Sequence, residues 1–118
     1  FARVEAAPSR LSRARAQTLW TDPETGYVRR AISPPGDAQL QLTEVDLPPG
    51  ARVRCPAEAY AFIHQQIWVM KGVLTFQEGR ETHTLRAGDC LELGPPAACV
   101  FHNRSPRPCR YVVAVTRR

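Results

Sequence analysis

The stretch "HQQIWVMKGVLTF", residues 64–76, decides the fold because its side chains alternate between two faces. In an extended strand, Gln65, Ile67 and Val69 lie on one face, whereas Trp68 and Met70 lie on the other. A Lys-Gly pair then separates this run from a second apolar run, which is the pattern of a hairpin. The stretch therefore predicts two antiparallel strands. Its polar start raises the question of whether it holds a metal, binds another ligand or only builds a sheet.

Short strand-like segments continue along the rest of the chain. Turn clusters such as "TDPETG" and "PPGD" bound them, and most of the 11 prolines and 7 glycines fall between apolar runs. No segment after residue 20 keeps a helical period. We expect about eight strands, at residues 26–33, 40–47, 61–70, 73–77, 82–86, 90–93, 98–103 and 109–115. This spacing of strands and turns predicts an all-β sandwich or barrel.

Length and composition predict one globular domain. The chain has 118 residues, of which 43% are hydrophobic, enough for a single core. It contains no run of eighteen apolar residues, so we expect no membrane span. Residues 1–17 are rich in Arg and Ala and are expected to be a linker or N-terminal arm, with the β-barrel domain at residues 18–118. Because the chain does not begin with Met, we expect it to be part of a longer protein.

Charge and cysteines narrow the classes of function. The net charge is +5 with 16 basic residues, but these are scattered and do not predict a nucleic-acid-binding face. The 4 cysteines include no C-x-x-C pair, so a zinc ribbon or a redox motif is not expected. We expect free thiols in a reducing cytoplasm.

Several motifs occur together in order. They are "PPGARV" (48–53), "HQQIWVMKGVLTF" (64–76), "EGRETHTLRAGDCLELGPP" (78–96) and "CVFHNRSPRPCRYVVAV" (99–115). In this order and spacing the chain resembles the cupin superfamily. More closely, it is similar to the cupin domain that follows a helix-turn-helix domain in many bacterial transcriptional regulators. The resemblance implies a double-stranded β-helix, which is a jelly-roll barrel with one open mouth.

The same resemblance locates the positions that hold a metal in many cupins. They fall on Ala59 and Ala61 (or Glu58 and Tyr60), on Gln65 and on Cys99, while Asn103 matches the family. A neutral amide and two methyl groups are a poor set for a divalent metal. The histidines do not replace it, because strand alternation turns His64 and His102 away and His83 lies in a polar hairpin. We therefore predict no bound metal and no cofactor.

Without a metal, the barrel interior becomes a candidate small-molecule site. We predict that it is formed by Gln65, Ile67, Val69, Cys99, Phe101 and Asn103, with Tyr60 added if a bulge turns it inward. Gln65 and Asn103 would bind a polar end of the ligand, and the apolar residues would cover the rest. The alternative is that these side chains fill a small barrel and leave no cavity.

The favoured function is a binding module rather than an enzyme. We expect the small-molecule-sensing domain of a cytoplasmic bacterial transcriptional regulator, which would contact DNA only through a helix-turn-helix domain absent from this chain. The alternatives are a metal-dependent dioxygenase or isomerase and a ligand-free dimerisation domain. We also expect a homodimer. Trp68 lies either in its interface or in a core beneath the N-terminal strand, and Trp20 is expected to anchor the N-terminal arm on the barrel.

Overall fold

A computed structural model describes residues 9–118, which form ten strands and two short 3-10 helices. The strands are β1 (Leu19–Thr21), β2 (Val28–Ala31), β3 (Leu40–Leu47), β4 (Arg52–Cys55), β5 (Ile63–Lys71), β6 (Val73–Glu78), β7 (Glu81–Arg86), β8 (Cys90–Glu92), β9 (Cys99–His102) and β10 (Cys109–Arg117). The 3-10 helices are Ala14–Ala16 and Ala57–Tyr60. Within the described residues, no helix has the length and apolar content that a membrane crossing requires.

The strands form two antiparallel sheets. The larger has six strands in the order β1-β2-β3-β10-β5-β8, and the smaller has four in the order β4-β9-β6-β7. Neighbouring strands in these orders are mostly not consecutive in the chain, so the connections cross between the sheets. This is the jelly-roll arrangement, and it confirms the predicted all-β class.

The eight expected strands are all present, with small differences at their ends. β1 and β4 were missed. β1 has only three residues, and the sequence of β4, "RVRC", alternates arginine with other residues and has no apolar run. Of the predicted arm, residues 1–8 lie outside the described residues. Residues 9–17 include the first 3-10 helix, and the Gln17 amide that follows it donates hydrogen bonds to the carbonyls of Ser12 (3.3 Å) and Ile32 (3.4 Å).

The core lies between the two sheets and is packed most tightly at one end of the barrel. We call this the closed end and define it by its fully buried side chains, which are those of Leu47, Ile67, Val69, Leu74, Phe76, Asn103 and Cys109. The turn from β5 to β6 closes it. Gly72 has φ +80° there, and a Cβ would lie 2.6 Å from the carbonyl oxygen of Pro108, so only glycine fits.

Asn103 ties the loop after β9 to the closed end. Its side-chain nitrogen donates to the carbonyls of Leu47 (2.9 Å) and Arg107 (2.7 Å). Its side-chain oxygen accepts from the amide N–H (3.0 Å) and hydroxyl (2.8 Å) of Ser105. Two donor and two acceptor positions are therefore occupied, which is the usual capacity of the side chain.

Candidate ligand-binding site

A cavity of about 290 Å³ opens between the sheets at the opposite end of the barrel. We call this the open end and define it by Gln65 and Val115, inward-facing partners on β5 and β10. Burial decreases towards it along β3 and β10, whose inner residues change from buried to half-buried. The same barrel is therefore filled at one end and hollow at the other.

The walls of the cavity are mainly apolar. Val45, Val53, Ile63, Phe101, Val113 and Val115 supply most of this surface, and they come from both sheets. Polar groups are few. They come from three tyrosines and from Arg29, Thr43, Cys55 and Gln65. An apolar concave site with a few polar groups is the usual form of a small-molecule site.

Gln65 supplies an amide that is free to bind a ligand. It is 8% exposed, and its backbone carbonyl accepts a hydrogen bond from the Leu93 amide (3.0 Å). Among residues 9–118, no group hydrogen-bonds its side-chain amide, and no fully enclosed side-chain nitrogen or oxygen lacks a partner. The amide is therefore not fully enclosed, and the cavity that Gln65 lines gives one route to it.

Two thiols and a phenol meet beside the cavity. Cys55 and Cys99 are partners on the adjacent strands β4 and β9, and Cys55 and Tyr60 both line the cavity. The Cys99 thiol donates to the carbonyl of Ala97 (3.3 Å). Burial raises the pKa of the Cys99 thiol, although the bond from Tyr60 opposes this, and burial also raises the pKa of Tyr60. The Cys99 thiol and the Tyr60 phenol therefore stay protonated near neutral pH, and Cys99 is not an activated nucleophile.

An aromatic and cationic cluster lies at the mouth. The Arg29 guanidinium is 5.1 Å from the centroid of the Trp20 ring, and that ring meets Tyr27 edge-on at 5.6 Å between centroids. Arg29 and Tyr27 both line the cavity. Sequence reasoning missed Arg29 because it treated the Arg29-Arg30 pair as surface charge. The signal was strand alternation, which turns one arginine of such a pair inward.

Comparisons with known proteins identify the fold. No protein-family model and no curated protein matches the chain. Solved structures do match. The cupin domain of an XRE family transcriptional regulator from Enterobacter cloacae is 19% identical, with a TM-score of 0.70 over 78% of this chain and 97% of that one. An RmlC-like cupin from Shewanella frigidimarina is 14% identical, with a TM-score of 0.74 over 93% and 92%. The chain has a cupin fold.

Cupins of this shape include enzymes as well as regulator domains. A sugar phosphate isomerase of the cupin superfamily from Silicibacter pomeroyi is 24% identical to the chain, with a TM-score of 0.64 over 79% of this chain and 60% of that one. At these identities the likeness establishes the cupin fold alone. The choice between enzyme and binding module therefore depends on the side chains of the cavity.

The structure brings together some of the predicted site residues and separates others. Gln65, Tyr60 and Phe101 line the cavity, and Cys99 lies beside it against Tyr60. Three predicted residues are elsewhere. Ile67 and Val69 are fully buried and do not line the cavity, and neither does Asn103. Asn103, which was expected to bind a ligand, instead uses its polar atoms to join Leu47 of β3 to Ser105 and Arg107 in the loop after β9.

The cavity offers few ligands for a metal. None of the described residues that line it is His, Asp or Glu. Elsewhere in residues 9–118, Glu78, Glu81 and His83 bring one ligand atom each within 4.8 Å of one another, at the β6–β7 hairpin. The His83 Nε2 lies 3.2 Å from Glu78 and 3.7 Å from Glu81, and a second oxygen of Glu78 accepts the Gly94 amide (2.8 Å). These contacts account for the cluster as a hydrogen-bonded network on the hairpin.

The outer face of β5 is exposed. Trp68 is 47% exposed and Met70 is 40% exposed. The N-terminal strand β1 does not cover them, because it pairs with β2 at the opposite edge of the six-stranded sheet. The interpretation of Trp68 as core beneath the N-terminal strand was therefore wrong. Its place in a subunit interface stays a prediction.

Proposed function

We propose that this cupin is the small-molecule-binding domain of a cytoplasmic bacterial transcriptional regulator. The observation that carries the proposal is the open apolar cavity, which contains a reachable Gln65 amide and no His, Asp or Glu among its described lining residues. Such a wall can bind and orient a ligand, but it lacks both a metal-ligand set and an acid–base pair. Similarity to the cupin domain of the Enterobacter cloacae regulator supports the regulatory role.

Regulation would require more than binding. A ligand shifts a conformational equilibrium only by its difference in affinity between two states. The cavity lies between strands of both sheets and the helix Ala57–Tyr60, so a ligand would contact several elements at once. In a dimer of the regulator, that contact would favour one relative position of the two helix-turn-helix domains that are joined to the cupin domains.

A thermal-shift screen with a cavity-blocking variant tests the proposal. Compounds that stabilise the wild-type chain should lose their effect in Val113→Phe, because Val113 lines the cavity and a larger side chain would fill it. Val112→Phe is the matched control, since Val112 is the next residue on β10 and belongs to the opposite face. It should keep the response.

Two outcomes would contradict the proposal. One is that no compound stabilises the chain, or that the stabilising compounds act equally on Val113→Phe. The other is near-stoichiometric zinc, iron, nickel or manganese in chain purified without added metal or chelator, lost together with thermal stability on chelation. The second result would support the enzyme alternative instead.

A further inference from the structure

The cavity wall carries a single charge. Among the described residues that line it, Arg29 is the only one with an ionisable group that is charged near neutral pH. Strand pairing shows on which face of the sheet the Arg29 side chain lies. Arg29 is the partner of Val45 on β3 and of Trp20 on β1, and residues paired across a sheet share a face. Since Val45 points into the barrel, Arg29 does as well.

Within residues 9–118, Arg29 has no carboxylate partner, whereas its neighbour Arg30 does. Arg30 lies 3.9 Å from Glu44 on the outer face, and Glu44 together with Asp46 also pairs with Arg110. The carboxylates of Glu44 and Asp46 thus pair with arginines on the outer face of the sheet. On the inside, the carbon of the Arg29 guanidinium lies over the Trp20 ring, 5.1 Å from its centroid, and this cation–π contact uses none of the five N–H donors of an arginine.

Uncharged hydrogen-bonding groups accompany this cation. Tyr27 and Arg29 both line the cavity, and both contact the ring of Trp20. Burial raises the pKa of the Tyr27 hydroxyl, with Arg29 opposing the rise, and the group stays protonated as a hydrogen-bond donor. The Thr43 hydroxyl and the Gln65 amide are on the same wall. Each of these groups can donate to an anionic oxygen.

We infer that the ligand of this cavity is a compact organic carboxylate, whose apolar body contacts the valine and phenylalanine walls and whose carboxylate pairs with Arg29. The inference rests on the proposed function and specifies the ligand class. A single guanidinium suits a monoanion, and a cation would meet like charge. A volume of about 290 Å³ lies at the small end of the range for ligand sites, which favours a compact molecule.

The test compares acids with their neutral amides. The probes are phenylacetate, hexanoate and indole-3-acetate, each against the corresponding primary amide, which keeps the shape and removes the charge. Binding is measured by calorimetry, and for the two probes without an indole also by the fluorescence of a Trp68→Phe chain, in which Trp20 is the only tryptophan. We expect at least one acid to bind more tightly than its amide by roughly tenfold to a hundredfold, the range for a hydrogen bond to a charged group.

The arginine variants assign the preference to a residue. Arg29→Met keeps an apolar stem and should remove the preference for acid over amide, whereas Arg29→Lys should keep part of it because the charge remains. Arg30→Met is the matched control on the outer face and should leave the preference unchanged. Because Arg29 is exposed at the mouth, acid binding should also weaken as salt is added.

The outcomes separate the two proposals. If a neutral compound binds in a way that Val113→Phe abolishes, while no acid is preferred or Arg29→Met changes nothing, the cavity binds small molecules but the inferred ligand class is wrong. If no acid binds at millimolar concentration, the inference is also wrong. If no compound of any class binds, both proposals fail.

Discussion

The closed and open ends of the barrel are built from the same strands and differ in what their side chains do. Along β5, Ile67 and Val69 are fully buried at the closed end, while Gln65 presents its amide to the cavity at the open end. Along β10, Cys109 is fully buried and Val115 is half-buried. The difference teaches that stability depends mainly on the closed end and ligand binding on the open end. A substitution at the closed end should therefore lower stability, and one at the open end should weaken binding.

The largest difference in unfolding free energy is expected between substitutions of the two buried side-chain amides, Asn103 and Gln65. Asn103→Leu should lower the free energy of unfolding by roughly 3 kcal/mol, because two carbonyls and the Ser105 amide lose their partner. Gln65→Leu should change it by less than about 1 kcal/mol, since no described group bonds that amide, yet it should weaken ligand binding. Urea unfolding with an unchanged m-value measures the first effect and calorimetry the second. Equal losses of stability would show that the two ends do not differ in this way.

A pair of identical substitutions makes a smaller but cleaner comparison. Val69→Ala at the closed end should cost about 2 kcal/mol of unfolding free energy, because a fully buried side chain is lost and its cavity persists. Val115→Ala at the open end should cost about 1 kcal/mol or less, because Val115 is half-buried and already borders space. Midpoints of urea unfolding measure both values. A greater loss at Val115 would mean that the open end is closed in solution.

The sequence predicted the closed end better than the open end. Alternation in "HQQIWVMKG" correctly oriented Gln65, Ile67 and Val69 inward, because alternation is a local property of a strand. Depth along the barrel is not local. Whether an inward residue meets core or cavity depends on the opposing sheet, so Ile67 and Val69 were placed in the site although they are fully buried and do not line the cavity.

The missed and misplaced residues have the same cause. Trp20 was not assigned to the site because β1, a strand of three residues, has too short a pattern to read. Arg29, on β2, was not assigned to it because the Arg29-Arg30 pair was interpreted as surface charge. Asn103 was assigned to it by position in a motif, but its polar atoms are occupied by carbonyls and by Ser105 across a loop whose course the pattern does not specify. Whether each of these residues belongs to the site depends on backbone geometry that is not local in the sequence.

The smallest expected effect concerns thiols and pH. Burial, with a further contribution from Asp46, raises the pKa of the closed-end Cys109 from 9.0 to about 11. Burial raises the pKa of Cys99 as well, but there the hydrogen bond from Tyr60 opposes the rise. Below pH 9 both thiols are protonated in the folded and unfolded chains, so their contribution to stability is fully present. As pH rises from 9 to 11 the unfolded thiol ionises first, and that contribution is lost.

The free energy of unfolding should therefore fall between pH 9 and pH 11, and the two cysteines should contribute unequally. Cys109→Ala should flatten the fall more than Cys99→Ala, because no hydrogen bond from a phenol opposes burial at Cys109. Cys90→Ala, which removes an exposed thiol, is the control for the loss of a thiol as such. Urea unfolding at several pH values gives the slopes. A steeper contribution from Cys99 would show that its thiol is held in a less polar setting than that of Cys109, and the open end would then be the drier end of the barrel.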